Sequence, residues 1–383
     1  EAETDTADRL ESDIFREDDG SKPQSGWRNT ADGAPFGEKD LSVQSDTAFS
    51  YGYSQLSGDE EQLYREILSS LISYQEETEL SVKDPEMVER VFRYVMADHP
   101  EIFYADGYEV TTYRLGTELR RITFTGTWTL ESDEVLSRRA QLEAAAALWL
   151  EGLPDGTDDF EKAKYIYDAL ILRTEYEQGS ADSQTICSVL LNQRSVCQGY
   201  AKTFQYLCQL AGIPAMLVTG DVNGEGHAWN IVFLDGDWYY IDPTWGDASY
   251  QREEGEETPA LTETVNYDYF CVTTQEIERT HSMDDNQLLP VCNAVQDQYY
   301  RHEGLYLQSA DKEKIDEIFA RAAQKGAPMV CFQCADDTVY QEVYRLLIEE
   351  QGIFAYLPES ETTAAYLDSD RERTFYFWFT EVS

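Results

Sequence analysis

The sequence predicts a multidomain α+β protein, and three observations carry that expectation. Several runs are apolar at every third or fourth position, the period of a helix lying on a core. Others are Thr-, Tyr-, Ile- and Phe-rich and of strand length, and Asp235-Gly236 between two of them is a hairpin signal. The length of 383 residues leaves room for two or three domains, at about 100–200 residues each. The expected organisation is an acidic, flexible segment over 1–50, an N-terminal α+β region over 51–140, a central domain over 141–305 and a small C-terminal α/β domain over 306–383.

Residues 1–50 hold 13 acidic and 5 basic residues without a sustained period, the composition of a solvated tether. The alternative is a short arm packed through Ile14, Phe15, Trp27 and Phe36. Ser57 and Glu60 resemble a capping box ahead of a helix with Leu63, Ile67, Leu68, Leu71 and Ile72 on one face. Asp84-Pro85 opens a second helix, with Val88, Val91, Phe92 and Val95 inward, and His99-Pro100 stops it. Strands follow over 102–113 and 119–130, then helices over 132–153 and 158–171. After Cys197, a stripe of Tyr200, Ala201, Phe204, Leu207 and Cys208 marks a helix that Gly212 and Pro214 end. Strands are expected over 215–222, 227–234 and 238–245, with Asn223-Gly224 turning the chain after the first. Residues 251–258 are a charged loop. The tail reads helix 312–324, strand 329–333, helix 338–350 and strand 374–379.

Composition removes several function classes. Lys and Arg total 29 against 74 Asp and Glu, a net charge of −45. Phosphate backbones and anionic membrane surfaces need clustered cations, and none occur. A hydrophobic content of 42% excludes global disorder. No apolar stretch reaches the length of a membrane span. Seven cysteines are an odd and sparse set, which is no disulfide scaffold. The chain begins at Glu1 and reads as processed, and its acidic, Tyr-rich character fits an exported or surface-anchored bacterial protein.

The chemistry concentrates between residues 183 and 250. Cys197 falls at a helix start, where free N–H groups and the helix dipole favour thiolate over thiol. Centring the hairpin on Asp235-Gly236 sets His227 opposite Thr244, with Asp242 two residues away on the same face. Such diagonal neighbours are about 7–8 Å apart, within side-chain reach. Three roles follow: Cys197 as nucleophile, His227 as acid and base, and Asp242 as the group that orients the imidazole. The Cys197 N–H is one oxyanion donor. Gln184 is a candidate for the second, or else a surface polar residue. Trp229 and Trp245 are either core aromatics or walls that shield the His–Asp pair.

Val196-Cys197-Gln198-Gly199-Tyr200-Ala201, Gly226-His227-Ala228-Trp229-Asn230 and Tyr240-Ile241-Asp242-Pro243-Thr244-Trp245 together resemble the bacterial transglutaminase-like superfamily. The resemblance covers about residues 183–250. It implies a papain-like core, a nucleophile helix packed on an antiparallel sheet, and a Cys-His-Asp thiol acyl transfer on peptide or side-chain amides. The implied partner is a protein or peptide substrate, with a cell-wall peptide as a variant, and no cofactor is needed. Calcium-binding features of the animal cross-linkers are not recognisable, which favours hydrolysis. The alternatives are protein cross-linking and a catalytically silent surface binding module of the same fold.

No metal ligands are expected. His281 beside Asp284 and Asp285 reads as a solvated loop. Cys331 and Cys334 lie three apart on a strand, so they face opposite sides and do not ligate jointly.

Overall fold

The computed structural model describes residues 5–12, 50–153, 156–247, 265–285, 287–327, 329–357 and 364–378. Ile14, Phe15, Trp27 and Phe36 of the expected arm lie outside these residues, as does the charged loop over 251–258. The chain divides into two compact units, 1–236 with 278–290, and 237–277 with 291–383. It mixes helices with mainly antiparallel sheets, the expected α+β class. Among the described residues, no helix is long and apolar enough to cross a membrane.

In the first unit, helices α1 (Asp59–Ser73) and α2 (Pro85–Asp98) pack on each other. The Asp84 carboxylate caps α2 by accepting from the Glu86 N–H at 3.0 Å, and Pro85 needs no partner there. Ser57 is not the cap of α1. Gly58 takes that position with φ +59°, so the helix starts one residue later than a Ser57 cap implies. Beside these helices lies a sheet of β1 (Asp5–Ser12), β2 (Ala105–Leu115) and β3 (Glu118–Trp128), with the two-residue strand Thr78–Glu79 on the outer edge of β3. All four strands are antiparallel, with Thr112 opposite Ile122 and Asp5 opposite Leu115. Alternate residues Val110, Ile122 and Phe124 are buried.

The end of α2 is tied by a buried carboxylate. Asp98 accepts from the Gly52 N–H at 2.9 Å, the Tyr53 N–H at 2.8 Å and the Tyr64 hydroxyl at 2.9 Å. Burial pushes its pKa up to about 6 despite these donors. Burial opposes protonation of neighbouring His99, yet the Glu101 carboxylate 2.7 Å away and Asp98 hold its pKa above the usual value.

The remainder of this unit holds helices α3 (Ser132–Leu150), α4 (Asp159–Arg173), α5 (Ile186–Asn192) and α6 (Cys197–Leu210). Its second sheet has β4 (Ala215–Val222) between β5 (Glu225–Leu234) and β6 (His281–Met283), all antiparallel. Asn223 (φ +57°) and Gly224 (φ +88°) form the β4–β5 turn, with the left-handed dihedrals a two-residue hairpin requires. Helix α6 is buried over most of its circumference, between α4 and α5 and the strands β4 and β5. The buried Gln205 amide donates to the carbonyls of Ala97 at 2.6 Å and Ala215 at 3.2 Å, joining α6 to α2 and β4.

The second unit begins with the strand Asp237–Ile241, paired antiparallel with Phe270–Val272. The first of these was expected to run to Trp245. It stops at Ile241 because Asp242 turns its carboxylate onto the backbone and Pro243 has no N–H to offer a ladder. Helix α7 (Lys312–Lys325), strand β7 (Met329–Cys334), helix α8 (Asp337–Tyr344) and strands β8 (Ala365–Ser369) and β9 (Thr374–Trp378) follow. The single helix expected over 338–350 changes to a π-helical turn at Arg345–Glu349. Strand β9 lies between β7 and β8, both antiparallel to it. Phe319, Phe332, Val343, Leu347, Phe375 and Phe377 fill the core beside them. Cys331 and Cys334 are buried on β7 and form no disulfide. A polar cluster is buried as well, in which Asp268 accepts from the hydroxyls of Tyr300 at 2.6 Å, Tyr376 at 3.0 Å and Thr374 at 3.1 Å.

Candidate active site

Cys197 is the first residue of α6 and is buried. The residue before it, Val196, is extended and offers no side-chain cap, so nothing of that kind covers the first-turn N–H groups. The approach to Cys197 is clamped from two sides. Glu175 and Tyr176 pair in parallel with Arg194 and Ser195, and the Glu177 N–H donates to the Ser195 carbonyl at 2.9 Å. The buried Ser195 hydroxyl donates to the Ser183 carbonyl at 2.9 Å and lies 2.7 Å from the Ser188 hydroxyl. This contact explains Gly199. A Cβ there would overlap the Ser195 hydroxyl and come within 2.6 Å of the Ser183 carbonyl oxygen. One turn into the helix, the Tyr200 hydroxyl donates to the Thr174 carbonyl at 3.0 Å.

Gln184 is half-buried in the turn that opens α5. It adjoins Ser183, so it belongs to the segment packed on the approach to Cys197.

His227 and Trp229 stand on β5, which lies against α6. The tie between them is Asn230, whose buried amide donates to the Ala201 carbonyl at 3.0 Å, one helical turn beyond Cys197. The His227 ring is buried and stacks on Trp229, with centroids 5.9 Å apart and planes at 23°. Trp229 is wholly buried, and its indole N–H has no hydrogen-bond partner among the described residues.

Asp242 belongs to the second unit, directly after the strand Asp237–Ile241. It is fully buried, and its carboxylate accepts from the N–H groups of Thr244 at 2.9 Å and Trp245 at 3.2 Å. Trp245 is half-buried and meets the Tyr269 ring edge-on at 4.8 Å. Asp235 (φ +47°) and Gly236 (φ +101°), which precede that strand, have the left-handed dihedrals of a tight hairpin turn.

Two residues near this chemistry escape the sequence reading. His281 is not in a solvated loop. It lies buried on β6, 5.5 Å from His227 between ring centroids. Its neighbours Asp284 and Asp285 suggest a surface, and only the pairing of β6 with β4 reverses that. Lys202 is the other. It is buried on α6, and desolvation lowers its pKa to about 8. As nitrogen donors for a metal ion, His227 and His281 have ring nitrogens within 4.8 Å of one another.

The sequence of residues 150–243 matches the family model of the Transglutaminase-like superfamily. Kyphoscoliosis peptidase from Homo sapiens is 33% identical over 111 residues, and that from Mus musculus 32% over the same length. The match covers 24% of this chain and 17% of each relative, so the chain spans about a sixth of their length. A TGase crystal structure aligns over 40% of this chain and 47% of its own, at 13% identity and a TM-score of 0.27. The periplasmic domain of TgpA from Pseudomonas aeruginosa aligns over 40% and 76%, at 15% identity and a TM-score of 0.24. With the Cys197 and His227 motifs inside the matched stretch, residues 150–243 are a domain of the transglutaminase-like superfamily.

Proposed function

We propose that this chain is a cysteine-dependent acyl-transfer enzyme that hydrolyses amide bonds of proteins or peptides, with Cys197, His227 and Asp242 as its triad. The observation that carries the reading is Cys197 at the start of a buried helix with no side-chain cap, packed on the strand that holds His227. The turn dihedrals at Asp235 and Gly236 support the hairpin that would bring Asp242 to His227.

In this reading His227 takes the Cys197 proton, and the thiolate attacks the substrate carbonyl carbon. The oxyanion is held by the Cys197 N–H and the Gln184 side-chain amide. The His227 imidazolium protonates the departing amine, which leaves a thioester on Cys197. Neutral His227 then deprotonates a water, which adds to the thioester carbonyl and releases the carboxylic acid. The thiolate recovers its proton from His227. Asp242 holds the imidazole in orientation and stabilises its cation, while Trp229 and Trp245 wall the pair.

Water as acceptor is supported by the peptidase name of the matched relatives. An amine acceptor would make the same thioester a cross-linking intermediate. The exported location, and a cell-wall peptide as substrate, belong to this proposal through the acidic composition alone.

The test is alkylation by limiting iodoacetamide near pH 6, read by intact mass. An ordinary thiol, with a pKa near about 8.5, is almost inert there. One fast adduct is expected, absent in Cys197→Ala and slowed in His227→Ala. If no thiol outpaces the other six, the triad reading fails and a silent binding module takes its place. Product analysis with and without a primary amine separates hydrolysis from cross-linking.

A further inference from the structure

We propose that His281 is a positioning residue for His227, holding that imidazole at a fixed rotation through the Trp229 ring. The proposal rests on the triad reading above.

His281 is only 3% exposed, and its Nδ1 lies 2.7 Å from the Thr280 hydroxyl, which fixes the rotation of its ring. It meets Trp229 edge-on, with centroids 4.8 Å apart and planes at 69°, and His227 at 5.5 Å and 53°. Trp229 in turn stacks on His227. The three rings therefore close a triangle, and no one of them rotates without displacing another.

The sheet is built to permit this. His227 and Trp229 are on β5 and His281 is on β6, with β4 between them, so their backbones are two strand spacings, roughly 10 Å, apart. Contact requires a ring to cross β4. It crosses at Gly220, which pairs with His227 on one side and Met283 on the other. A Cβ at Gly220 would overlap the Ser282 carbonyl oxygen and stand 2.7 Å from Trp229 Cη2. The missing side chain is the gap through which Trp229 reaches His281.

An imidazole at a core position is costly unless its polar atoms are used. A phenyl ring would fill the same space without the Thr280 bond. The bond fixes His281, and His281 fixes the ring on which His227 stacks. In acyl transfer His227 must present the same two nitrogens while neutral and while protonated, so a fixed rotation acts directly on its efficiency.

The experiment compares His281→Gln, His281→Phe and His281→Ala with wild type. The Cys197 alkylation rate near pH 6 is expected to fall about tenfold in the Ala and Phe variants, the low end of what losing an orienting partner costs a metal-bound histidine. Gln keeps a polar group for Thr280 and is expected to restore most of the rate. Thermal midpoints identify unfolding. The ¹⁵N signals of the His227 ring are recorded on the same proteins and should shift or broaden in Ala and Phe but not in Gln. A Phe variant with the wild-type rate and unchanged His227 signals overturns the proposal, because ring volume alone would then suffice. A wild type without a fast Cys197 adduct overturns the triad reading instead. The ¹⁵N comparison then decides the positioning role by itself, and signals unchanged in all three variants overturn it.

Discussion

Replacing Gly199 by alanine sets helix propensity against packing. In an unobstructed helix the change would stabilise by about 1 kcal/mol. Here the new Cβ would overlap the Ser195 hydroxyl and lie 2.6 Å from the Ser183 carbonyl oxygen and 2.7 Å from the Ser188 hydroxyl. One of these obstacles is backbone, and the two hydroxyls are wholly buried and bonded to each other at 2.7 Å. Forcing a methyl into a packed site costs about 1–3 kcal/mol. Displacing Ser195 breaks its bonds to Ser188 and Ser183, at about 1 kcal/mol each. The sum, less the propensity gain, is a destabilisation of about 2–4 kcal/mol, read as a fall in the urea unfolding midpoint. The double variant Ser195→Ala/Gly199→Ala removes the overlapping hydroxyl and should lie within about 1 kcal/mol of Ser195→Ala alone, so the pair is non-additive. A Gly199→Ala protein as stable as wild type, or more stable, would refute the packing argument and restore helix propensity as the governing effect.

Stability should fall as pH rises from about 4 through about 6. Asp98 and Asp268 have folded pKa values raised to about 6, so the folded chain binds more protons than the unfolded one in that window, and His99, raised from its ordinary value, continues the fall above about 6.5. Urea midpoints at pH 5.2 and 7.0, with Asp98→Asn as the variant that flattens the slope, check the sign; a midpoint rising toward neutral pH contradicts it. Asp98→Asn should also lower stability at both pH values, because an amide nitrogen would replace one of the oxygens that accept from Gly52, Tyr53 and Tyr64. Tyr300→Phe removes a donor from the buried Asp268 carboxylate and should cost about 1.5–3 kcal/mol, measured by the same unfolding assay. Asn230→Ala unties β5 from α6 at Ala201 and should lower both stability and the Cys197 alkylation rate; an unchanged rate would separate the two.

Much of the fold is legible in the sequence because its signals are local. The period of Leu63, Ile67, Leu68 and Leu71, the Asp84-Pro85 start and the Asn223-Gly224 turn each act within a few residues, and tertiary packing has no reason to overrule them. Cys197 and His227 are legible for the same reason, one at a helix start and one on a patterned strand. What escapes is set by distant partners. Strand β6 is three residues long and owes its existence to β4, roughly 60 residues earlier, so His281 carries no local mark of burial. Strand β8 is an exposed edge with Asp368 and Ser369 in it, and its pairing with β9 is not visible in its composition. The strand after Gly236 is overestimated because a side chain, Asp242, competes for the backbone donors that would have extended it.

The short return of the chain at residues 278–290 bears on how this protein can be cut. The first unit is not a continuous stretch, since it borrows β6 from beyond a segment that belongs to the second. A fragment ended at Gly236 would keep Cys197 and His227 and still lose the strand that covers one side of β4. That side would then present unpaired backbone groups along Thr219-Gly220-Asp221-Val222, a bare edge open to pairing with another copy. Expressed alone, such a fragment should self-associate, and adding back residues 278–290 through a linker should suppress it.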